Sequence, residues 1–401
     1  MTNSAPLFKS EVPDLGSGPV PVDGYLSPEI YRLEIERIFR RSWLLACRAD
    51  DLIGPGSYRV EEFPGLSTSV LITCDSNSNI RAFHNICRHR CHRVALEKEK
   101  RASGLMCEFH GWTYDLTGNL VSIPDEKSFI GIDKKKYGLV EIACDVWEGF
   151  IFVNLDPNPR QTLREFLGET YQLFDGFPIN TMSRRATIRA ELNCNWKLAM
   201  DAFMEAYHVI GLHRRTAPDS FNGPGNPYGH LHSIRTYGPH RSIHVYGNPE
   251  QKFSPSTRLN VRFAQAATYA PAGTRGDVAL PPGVNPDRRT DWAFDETTIF
   301  PNFHFYTANG WALVVRYWPV DTEKCVYEST LYMAEPENAA QRVAIEQTAV
   351  MLFDVTLEDL STVERTQDVL KCGAVTEMVL SRMETAIRHN HQACRAAIAQ
   401  P

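Results

Sequence analysis

The sequence predicts an α+β protein in which an all-β domain precedes a domain of mixed helices and strands. From residue 43 to about residue 155 the chain consists of short β-rich runs, such as SYRVEEF and STSVLIT, with turn residues between them. Helix-like segments return after residue 160 and alternate with strand-like ones. These changes divide the chain into an N-terminal arm and helix at 1–42, an all-β domain at 43–160 and an α+β domain at 161–401.

The composition is that of an ordinary globular protein, with 43% hydrophobic and 22% charged residues over 401 positions. The net charge of -6 gives no overall attraction to nucleic acid or to an anionic membrane. The ten cysteines are scattered, which suits free thiols and metal ligands in a reducing compartment. Neither a secretory signal nor a stretch of membrane-spanning length is visible. We therefore expect a cytoplasmic protein with no nucleic-acid or membrane partner.

The N-terminal segment predicts an extended arm followed by a helix. Its first 24 residues are rich in proline, glycine and serine, which favour an extended path over a surface. Ser27 and Pro28 then have the types expected at the cap and in the first turn of a helix. Apolar residues follow at roughly helical spacing, at Ile30, Leu33, Ile35, Ile38 and Phe39.

The second half of the chain predicts structure less evenly. Residues 214–300 are rich in proline, glycine and histidine and have weak periodicity, so no element is predicted there. The four histidines of this stretch, from His230 to His244, are interpreted as polar groups of loops. Two strong strand signals follow at 304–320 and 325–335, and residues 337–398 indicate one long helix or two.

The most informative stretch lies inside the β-rich domain. It contains Cys87-x-His89 and, after seventeen intervening residues, Cys107-x-x-His110 followed by Gly-Trp. Two thiolates and two imidazoles on two short loops are the ligands of a Rieske [2Fe-2S] cluster, in which the cysteines hold one iron and the histidines the other. A Cys2His2 zinc site is the alternative, but its usual spacing pairs cysteine with cysteine and histidine with histidine. The pattern here favours the iron-sulfur cluster.

A second set of metal ligands is indicated between Asn193 and His213. On a helix, His208 lies one turn after Glu205, and His213 follows five residues later, so both imidazoles could face one point. Two histidines and one carboxylate form the facial triad of non-haem Fe(II) oxygenases, which leaves positions open for dioxygen. The alternative is a pair of histidines that are merely polar surface or hydrogen-bonded core groups.

The motifs together resemble the oxygenase (alpha) subunit of the Rieske non-haem iron oxygenases, the ring-hydroxylating and demethylating family. The resembling segments are CRH, CEFHGWTYDLTGNL, GFIFVNLDP, NWK, ExYHxxxxH, IFPNF and EDLSTVERTQ. The resemblance implies an N-terminal all-β Rieske [2Fe-2S] domain and a C-terminal α+β catalytic domain, whose antiparallel sheet is flanked by helices. It also implies that the cluster is held by Cys87, His89, Cys107 and His110.

The resemblance further implies a third ligand for a mononuclear Fe(II). In the family this ligand is a C-terminal aspartate five residues before a glutamate, and Asp359 occupies that position, with Glu364 after it. Glu358 and Asp354 offer the same chemistry, and the residues alone do not separate them. The implied iron ligands are therefore His208, His213 and Asp359. The alternative is that this stretch is only the acidic face of a helix.

Two further acidic residues acquire roles from the resemblance. The family has an acidic residue three positions before its first histidine ligand, and this residue links the histidine to the Rieske cluster of a neighbouring subunit. Glu205 stands there, so the implied electron route runs from His110 of one protomer through Glu205 to His208 of the next. Most members of the family have aspartate at this position. The glutamate found here resembles the branch that includes carnitine-, betaine- and choline-type monooxygenases. Asp201, which replaces an asparagine, would add a carboxylate near the iron or near a substrate cation.

The function implied is that of a terminal oxygenase that hydroxylates an organic small-molecule substrate with O2, by monooxygenation, dioxygenation or demethylation. The chain shows neither a GxGxxG element nor a P-loop, so electrons must come from a separate NAD(P)H-dependent reductase, with or without a ferredoxin. We expect a homotrimer, with an α3β3 assembly as the alternative. An aromatic-ring cis-dihydroxylating alpha subunit is the nearest alternative function. A Rieske electron carrier with an accessory binding domain is the alternative from another class.

The resemblance implies that residues 214–300 build the entrance and roof of the substrate pocket. A pocket of mixed aromatic and acidic residues would suit either a bulky apolar compound or a quaternary ammonium held by cation-π contacts. Aromatic and sulfur-containing side chains near the predicted iron ligands and in the strand signals are the candidates for its wall, and at least half of them should prove to be plain core. These candidates are Phe203, Met204, Phe303, Phe305, Trp311 and Phe353.

Overall fold

The computed structural model describes residues 9–253, 255, 258 and 280–400. Its chain forms two compact units. One comprises Ile38–Phe166, and the other combines the described residues of the first 37 positions with those from Leu167 onward. The chain therefore passes between units near residues 38 and 166, whereas the domain boundaries at 42 and 160 stay predictions.

The N-terminal arm contains a two-residue strand, β1 (Val20–Pro21), and the helices α1 (Asp23–Leu26) and α2 (Pro28–Glu34), which a turn of π-helix at Ile35–Phe39 extends. The predicted start of the helix is confirmed. Ser27 Oγ accepts the N–H of Ile30 at 3.3 Å, and Pro28 occupies the first helical position, where no N–H is needed.

The unit Ile38–Phe166 is built from antiparallel strands. Its ten strands are β2 (Trp43–Arg48), β3 (Ser57–Phe63), β4 (Thr68–Cys74), β5 (Ile80–His84), β6 (Glu99–Arg101), β7 (Leu105–Met106), β8 (Thr113–Tyr114), β9 (Leu120–Ser122), β10 (Glu141–Trp147) and β11 (Phe150–Asn154). Among the described residues, seven strands pair in the order β2-β11-β10-β5-β4-β3-β6, and β7-β8-β9 form a smaller sheet. Short 3-10 helices occupy Ala49–Asp51, Glu126–Ser128 and Lys134–Tyr137. Two strands of the smaller sheet, β7 and β8, flank the second predicted cluster loop and pair with each other at its base.

The second unit continues with a larger antiparallel sheet and its helices. Its elements are α3 (Leu163–Leu167), which begins before the unit boundary, β12 (Arg184–Leu192), α4 (Trp196–Asp201), α5 (Val209–Leu212), β13 (Ser233–Tyr237), β14 (His240–Tyr246), β15 (Trp292–Ile299), β16 (Phe303–Ala308), β17 (Trp311–Asp321), β18 (Lys324–Met333), α6 (Ala339–Leu370), β19 (Glu377–Met378) and α7 (Thr385–Ala399). Short 3-10 helices occupy Gly168–Gln172, Pro178–Thr181 and Arg382–Glu384. In the described part of the chain, the sheet order is β12-β18-β17-β16-β15-β14-β13, and β19 pairs with β1.

The predicted α+β fold with an antiparallel sheet is confirmed in this unit. The strand signal at 304–320 proves to be two strands, β16 and β17, which join at Asn309-Gly310, a sequence that favours a tight hairpin turn. The helical region predicted at 337–398 is two helices, α6 and α7. No helix of the described residues combines the length and apolar character needed to cross a bilayer.

Residues 214–300, for which no element was predicted, supply three strands of this sheet. The interpretation of their histidines as loop groups is wrong for His240 and His244, which lie on β14 and are 1% and 3% exposed. Residues 254, 256–257 and 259–279 lie outside the described part of the chain, so the predicted roof of the pocket is described only in part.

Candidate functional site

The two predicted cluster loops have the same backbone structure. The N–H of Cys87 and that of Cys107 each donate to the carbonyl five residues further on, at 2.7 and 2.9 Å. The N–H groups of Cys91 and Gly111, four residues after each cysteine, donate back to the cysteine carbonyls at 3.0 and 2.9 Å. Cys91 and Gly111 both have left-handed φ angles, of 58° and 72°. These matched loops bring the two cysteines and the two histidines close together.

The side chains of the loops are arranged to bind a shared group. Cys87 and Cys107 are 2% and 1% exposed, and both are free thiols. The rings of His89 and His110 lie with their centroids 4.4 Å apart, and His89 stacks on Trp112 at 5.0 Å. Burial raises the pKa of the Cys107 thiol, and the neighbouring thiol of Cys87 raises this pKa further. Two buried thiols held together are stable here only when protonated or when a metal compensates their charge.

The residues present fit an [2Fe-2S] cluster. Nδ1 of His89 is buried and has no hydrogen-bond partner among the described residues, as a ring nitrogen kept for a metal would be. Tyr114, whose hydroxyl lies 3.4 Å from Sγ of Cys87 and accepts the N–H of Arg88 at 2.9 Å, supports the first loop from behind. Hydrogen bonds near a cluster sulfur help to set its reduction potential.

The second predicted ligand set also meets at one point. Oδ1 of Asp359 lies 3.0 Å from Nε2 of His213 and 3.5 Å from Nε2 of His208, and ligand atoms of the three residues all lie within 4.8 Å of one another. Nε2 of His213 and Oδ1 of Asp359 are buried, yet neither makes a hydrogen bond of good geometry. Buried polar atoms that face a common point without bonding to each other fit a metal ion between them.

The local backbone explains why the two histidines converge. The helix between them is only α5, with His208 as its N-cap residue and His213 as its C-cap residue. One turn of helix therefore separates the two rings, whose centroids lie 5.1 Å apart. Asp359 reaches the same point from the middle of α6, where it is 4% exposed.

Glu205 holds the ring of His208. Its Oε1 lies 2.5 Å from Nδ1 of His208, and its Oε2 accepts the N–H groups of Tyr207 and of His208, the latter at 3.1 Å. Burial would lower the pKa of His208, but Glu205 and Asp359 outweigh that effect and raise the pKa to about 9. Glu205 thus keeps Nδ1 occupied and leaves Nε2 for a metal.

Asp201 lies outside this group. Its Oδ2 accepts from the hydroxyl of Tyr25 at 2.5 Å and lies 3.0 Å from Nε2 of His391, and its Oδ1 accepts from Nδ2 of Asn390 at 3.0 Å. Burial, reinforced by Asp201, raises the pKa of Tyr25 well above its usual value, so its hydroxyl remains a donor. The carboxylate therefore ties α4 to the N-terminal and C-terminal helices of the same unit. The expected role of Asp201 as a catalytic-site carboxylate near the iron or near a substrate cation stays a prediction.

An apolar cavity opens beside the second ligand set. His208, His213 and Asp359 line it together with side chains of α6 and of the strands β14 to β17. Apart from the ligand set and Glu205, the described side chains with polar groups that line it are Tyr306, whose hydroxyl donates to a backbone carbonyl at 3.3 Å, Thr356 and Trp311 with its indole N–H. No lysine or arginine of the described residues lines it. The cavity therefore offers a mostly apolar surface and no basic side chain that could bind an acidic group.

Two of the six predicted wall residues, Phe203 and Trp311, line this cavity. Phe305 packs instead against Phe174, with ring centroids 4.9 Å apart, and is core, as are Met204 and Phe303, whereas Phe353 is half-buried on α6 and is not among the residues that line the cavity. The structure adds wall residues that the sequence did not indicate, among them Ile243, Val245 and Phe294. These three lie on β14 and β15, in the stretch for which no strand was predicted. A prediction of strands in this stretch would have been needed to identify these three residues as part of the cavity wall.

Family models match both units. Residues 179–400 match the model described as ring hydroxylating alpha subunit (catalytic domain), and residues 42–141 match the model described as Rieske [2Fe-2S] domain. The chain belongs to the ring-hydroxylating alpha subunit family. The cofactors of these two domains are a [2Fe-2S] cluster and a mononuclear iron, and both ligand sets described above fit them.

Relatives with curated names include oxygenases of two kinds. The benzene 1,2-dioxygenase subunit alpha of Pseudomonas putida is 33% identical over 302 residues, which cover 70% of this chain and 63% of that protein. The chlorobenzene dioxygenase subunit alpha of Cupriavidus sp. (strain PS12) is 34% identical over 191 residues, 42% of its length. The carnitine monooxygenase oxygenase subunit of Escherichia coli (strain K12) is 22% identical over 355 residues, 88% of this chain and 84% of that protein. The match thus spans about two fifths to three fifths of the two aromatic-compound dioxygenase subunits.

Solved structures share the fold. A quaternary ammonium Rieske monooxygenase in complex with an inhibitor superposes with a TM-score of 0.74 at 21% identity, covering 94% of this chain and 95% of that chain. Naphthalene 1,2-dioxygenase from Rhodococcus sp. bound to indole superposes with a TM-score of 0.72 at 20% identity, covering 95% of each chain. The predicted fold class and family are therefore confirmed.

Proposed function

We propose that this protein is the terminal oxygenase component of a Rieske non-haem iron oxygenase system. It would use O2 and electrons from a separate NAD(P)H-dependent reductase to hydroxylate an apolar organic substrate. The observation that carries the proposal is the meeting of His208, His213 and Asp359 at the wall of an apolar cavity. A Rieske electron carrier would have no use for such a ligand set beside a cavity.

The proposal assigns one ligand set to each cofactor. Cys87, His89, Cys107 and His110 would hold the cluster, and the His208–His213–Asp359 group would hold the iron. When bound, the cluster supplies one-electron transfer and the iron supplies the dioxygen chemistry that protein side chains cannot perform. Two histidines and one carboxylate would leave coordination positions free for dioxygen, and all three residues line the cavity.

The other side chains of the site have simpler tasks. The apolar wall binds the substrate by removing its surface from water and places it beside the ligand set. Glu205 keeps His208 oriented and, in the proposed route, accepts a hydrogen bond from His110 of a neighbouring protomer. That route requires an oligomer, for which a homotrimer is proposed and an α3β3 assembly is the alternative. A ferredoxin between the reductase and the cluster is compatible with either.

The substrate proposed is a neutral apolar compound, because no described lysine or arginine is available to bind a carboxylate in the cavity. A quaternary ammonium without an acidic group could still be held by the faces of Trp311, Tyr306 and Phe294. Aromatic-ring cis-dihydroxylation is the second candidate reaction, and the 33% identity to a benzene 1,2-dioxygenase subunit alpha favours it. Monooxygenation, including demethylation, is the reaction favoured by Glu205, because glutamate at this position resembles the carnitine-, betaine- and choline-type monooxygenases.

A turnover assay with a His213→Ala variant tests the proposal. Both proteins receive NADH, a reductase, a ferredoxin, 18O-labelled dioxygen and a panel of neutral aromatic and quaternary ammonium compounds. We expect labelled product from the wild type only, with the optical spectrum of the cluster equal in both proteins. One labelled oxygen atom per product would indicate monooxygenation, and two would indicate dioxygenation. Labelled product from the variant at the wild-type rate would contradict the iron site.

A further inference from the structure

Three carboxylates of α6 looked equivalent in the sequence, and the structure gives each a different position. Asp354 is exposed to solvent, and no contact of its side chain with the ligand set is observed. Asp359 is buried and faces Nε2 of His213 and His208. Glu358, whose side chain is 31% exposed, lies between these extremes and contacts the other side of His213.

Glu358 holds His213 by the ring nitrogen that is remote from the ligand set. Its Oε2 lies 2.7 Å from Nδ1 of His213, and the same oxygen accepts from Oγ1 of Thr216 at 2.6 Å. Successive residues of a helix point about 100° apart, so adjacent Glu358 and Asp359 can reach opposite sides of one ring. His213 is thus held between two neighbouring carboxylates of α6.

This contact decides which nitrogen of His213 is available. Nδ1 donates its proton to Glu358, so the lone pair of the neutral ring lies on Nε2. Nε2 is buried and has no hydrogen-bond partner among the described residues. The geometry points to Glu358, supported by Thr216, as a positioning residue that fixes the ring and the tautomer of His213 and thereby strengthens binding of the mononuclear iron.

The inference rests on the proposed iron site and assigns Glu358 a narrower task than Glu205. Glu205 contacts His208 from three residues earlier in the chain and is also the proposed link to a neighbouring cluster. Glu358 comes from a different element, and its side-chain hydrogen bonds among the described residues are those with His213 and Thr216. A change at Glu358 should therefore weaken iron binding and leave reduction of the cluster unaffected.

Equilibrium dialysis against radioactive Fe(II) tests the inference. The protein keeps its cluster, and mild chelation first removes the mononuclear iron. We expect the Fe(II) Kd of Glu358→Ala to rise about 10- to 100-fold, as for other partners of metal-bound histidines. Glu358→Gln keeps an acceptor oxygen, so its Fe(II) Kd should lie between that of Glu358→Ala and that of the wild type. Asp354→Ala, four residues away on the same helix, is the matched control and should bind Fe(II) like the wild type.

The readouts separate this inference from a structural defect and from the proposed function. We expect the thermal midpoint and the cluster spectrum of both Glu358 variants to match the wild type, because the side chain is partly exposed. An unchanged Fe(II) Kd in Glu358→Ala would overturn the inference, as would weaker binding seen only in variants that have lost their fold. A wild type that binds no Fe(II) beyond its cluster would overturn the proposed function instead.

Discussion

Oδ1 of Asp359 lies 3.0 Å from Nε2 of His213, although one residue sits in the middle of α6 and the other ends α5. The two atoms are buried and do not form a hydrogen bond of good geometry with each other. This arrangement would be costly unless a third group compensates both atoms. A metal ion shared with His208 is the group that this donor set fits best.

Asp359→Ala should remove the mononuclear iron and abolish product formation without changing the cluster. Loss of one of three protein ligands leaves too few donors to hold Fe(II). The measurement is iron content per chain together with turnover, and the cluster spectrum serves as an internal standard. Asp368→Ala, an exposed change on the same helix, is the control and should behave like the wild type. Full iron content in Asp359→Ala would contradict the assignment.

Iron binding should strengthen as pH rises. The carboxylates of Glu205 and Asp359 outweigh burial and raise the pKa of His208 to about 9 in the iron-free protein, so iron must displace a proton below that pH. We expect the Fe(II) Kd to fall on the order of tenfold per pH unit between about pH 7 and pH 9 for one displaced proton. Anaerobic Fe(II) titrations at three pH values measure this dependence, and a flat profile would contradict it.

The same linkage predicts an opposite trend for the iron-free fold. Protonated His208 contributes stability that is fully present below its unfolded pKa, about 6.5, and is lost as pH rises through about 9. Urea unfolding of the iron-free protein across this range should show a declining free energy of unfolding. Glu205→Gln should weaken that decline, because it removes one of the carboxylates that raise the pKa.

Gly111→Ala should make the cluster labile. Gly111 has a φ of 72°, and a Cβ there would lie 2.9 Å from Cγ of Pro124. The backbone strain and the overlap together should lower the free energy of unfolding by about 1–3 kcal/mol. Both arise in the loop that carries Cys107 and His110. Acid-labile sulfide per chain is the measurement. Gly131→Ala is the matched control, since its φ is 74° and nothing lies within 4 Å of its Cβ position.

Phe294→Ala should change substrate preference, whereas Phe303→Ala should not. Both phenylalanines are buried on neighbouring strands, but only Phe294 lines the cavity. Removing its ring should lower kcat/KM for a small aromatic substrate about 10- to 100-fold and favour bulkier compounds. Each variant should also lose about 3–5 kcal/mol of stability. Ratios of kcat/KM for two substrates of different size decide the matter, and equal ratios in both variants would contradict the cavity assignment.

Asp201→Asn should destabilise the fold without weakening iron binding. The buried carboxylate accepts from Tyr25 and Asn390 and contacts His391, so an amide nitrogen in its place would face donors and cost about 2–4 kcal/mol. Asp23→Asn, which breaks an exposed ion pair with Arg395, is the control and should cost less than about 1 kcal/mol. Urea unfolding and Fe(II) titration are the measurements. A higher Fe(II) Kd in Asp201→Asn than in the wild type would contradict this prediction and indicate that Asp201 contributes to iron binding.

The sequence predicted best where the chemistry is local. The proposed cluster ligands lie in two short motifs, and His208 and His213 are separated by one turn, so spacing alone indicated both proposed sets. Asp359 was selected only through the family resemblance, because Asp354 and Glu358 offer the same chemistry nearby on α6 and spacing does not tell which of the three reaches the histidines. The contact between Glu358 and His213 depends on how α6 packs, which no local pattern encodes.

The most important elements that the sequence did not predict are the strands β14 and β15. Every residue of His240–Tyr246 and of Trp292–Ile299 is buried, so these strands lack the alternation of apolar and polar residues that marks a half-buried strand. They also bury polar residues such as Arg241, His244 and Glu296, which hide the strands further in the sequence. Cavity residues on them, such as Phe294, were missed for the same reason.

Anaerobic iron and sulfide analysis with an optical spectrum, before and after addition of Fe(II), tests the central claim most directly. We expect the two irons and two sulfides of the cluster plus one further iron that mild chelation removes and Fe(II) restores. His208→Ala should keep the cluster and lose only the further iron. A wild type that shows two irons and two sulfides, unchanged by added Fe(II), would leave a Rieske carrier and contradict the oxygenase account.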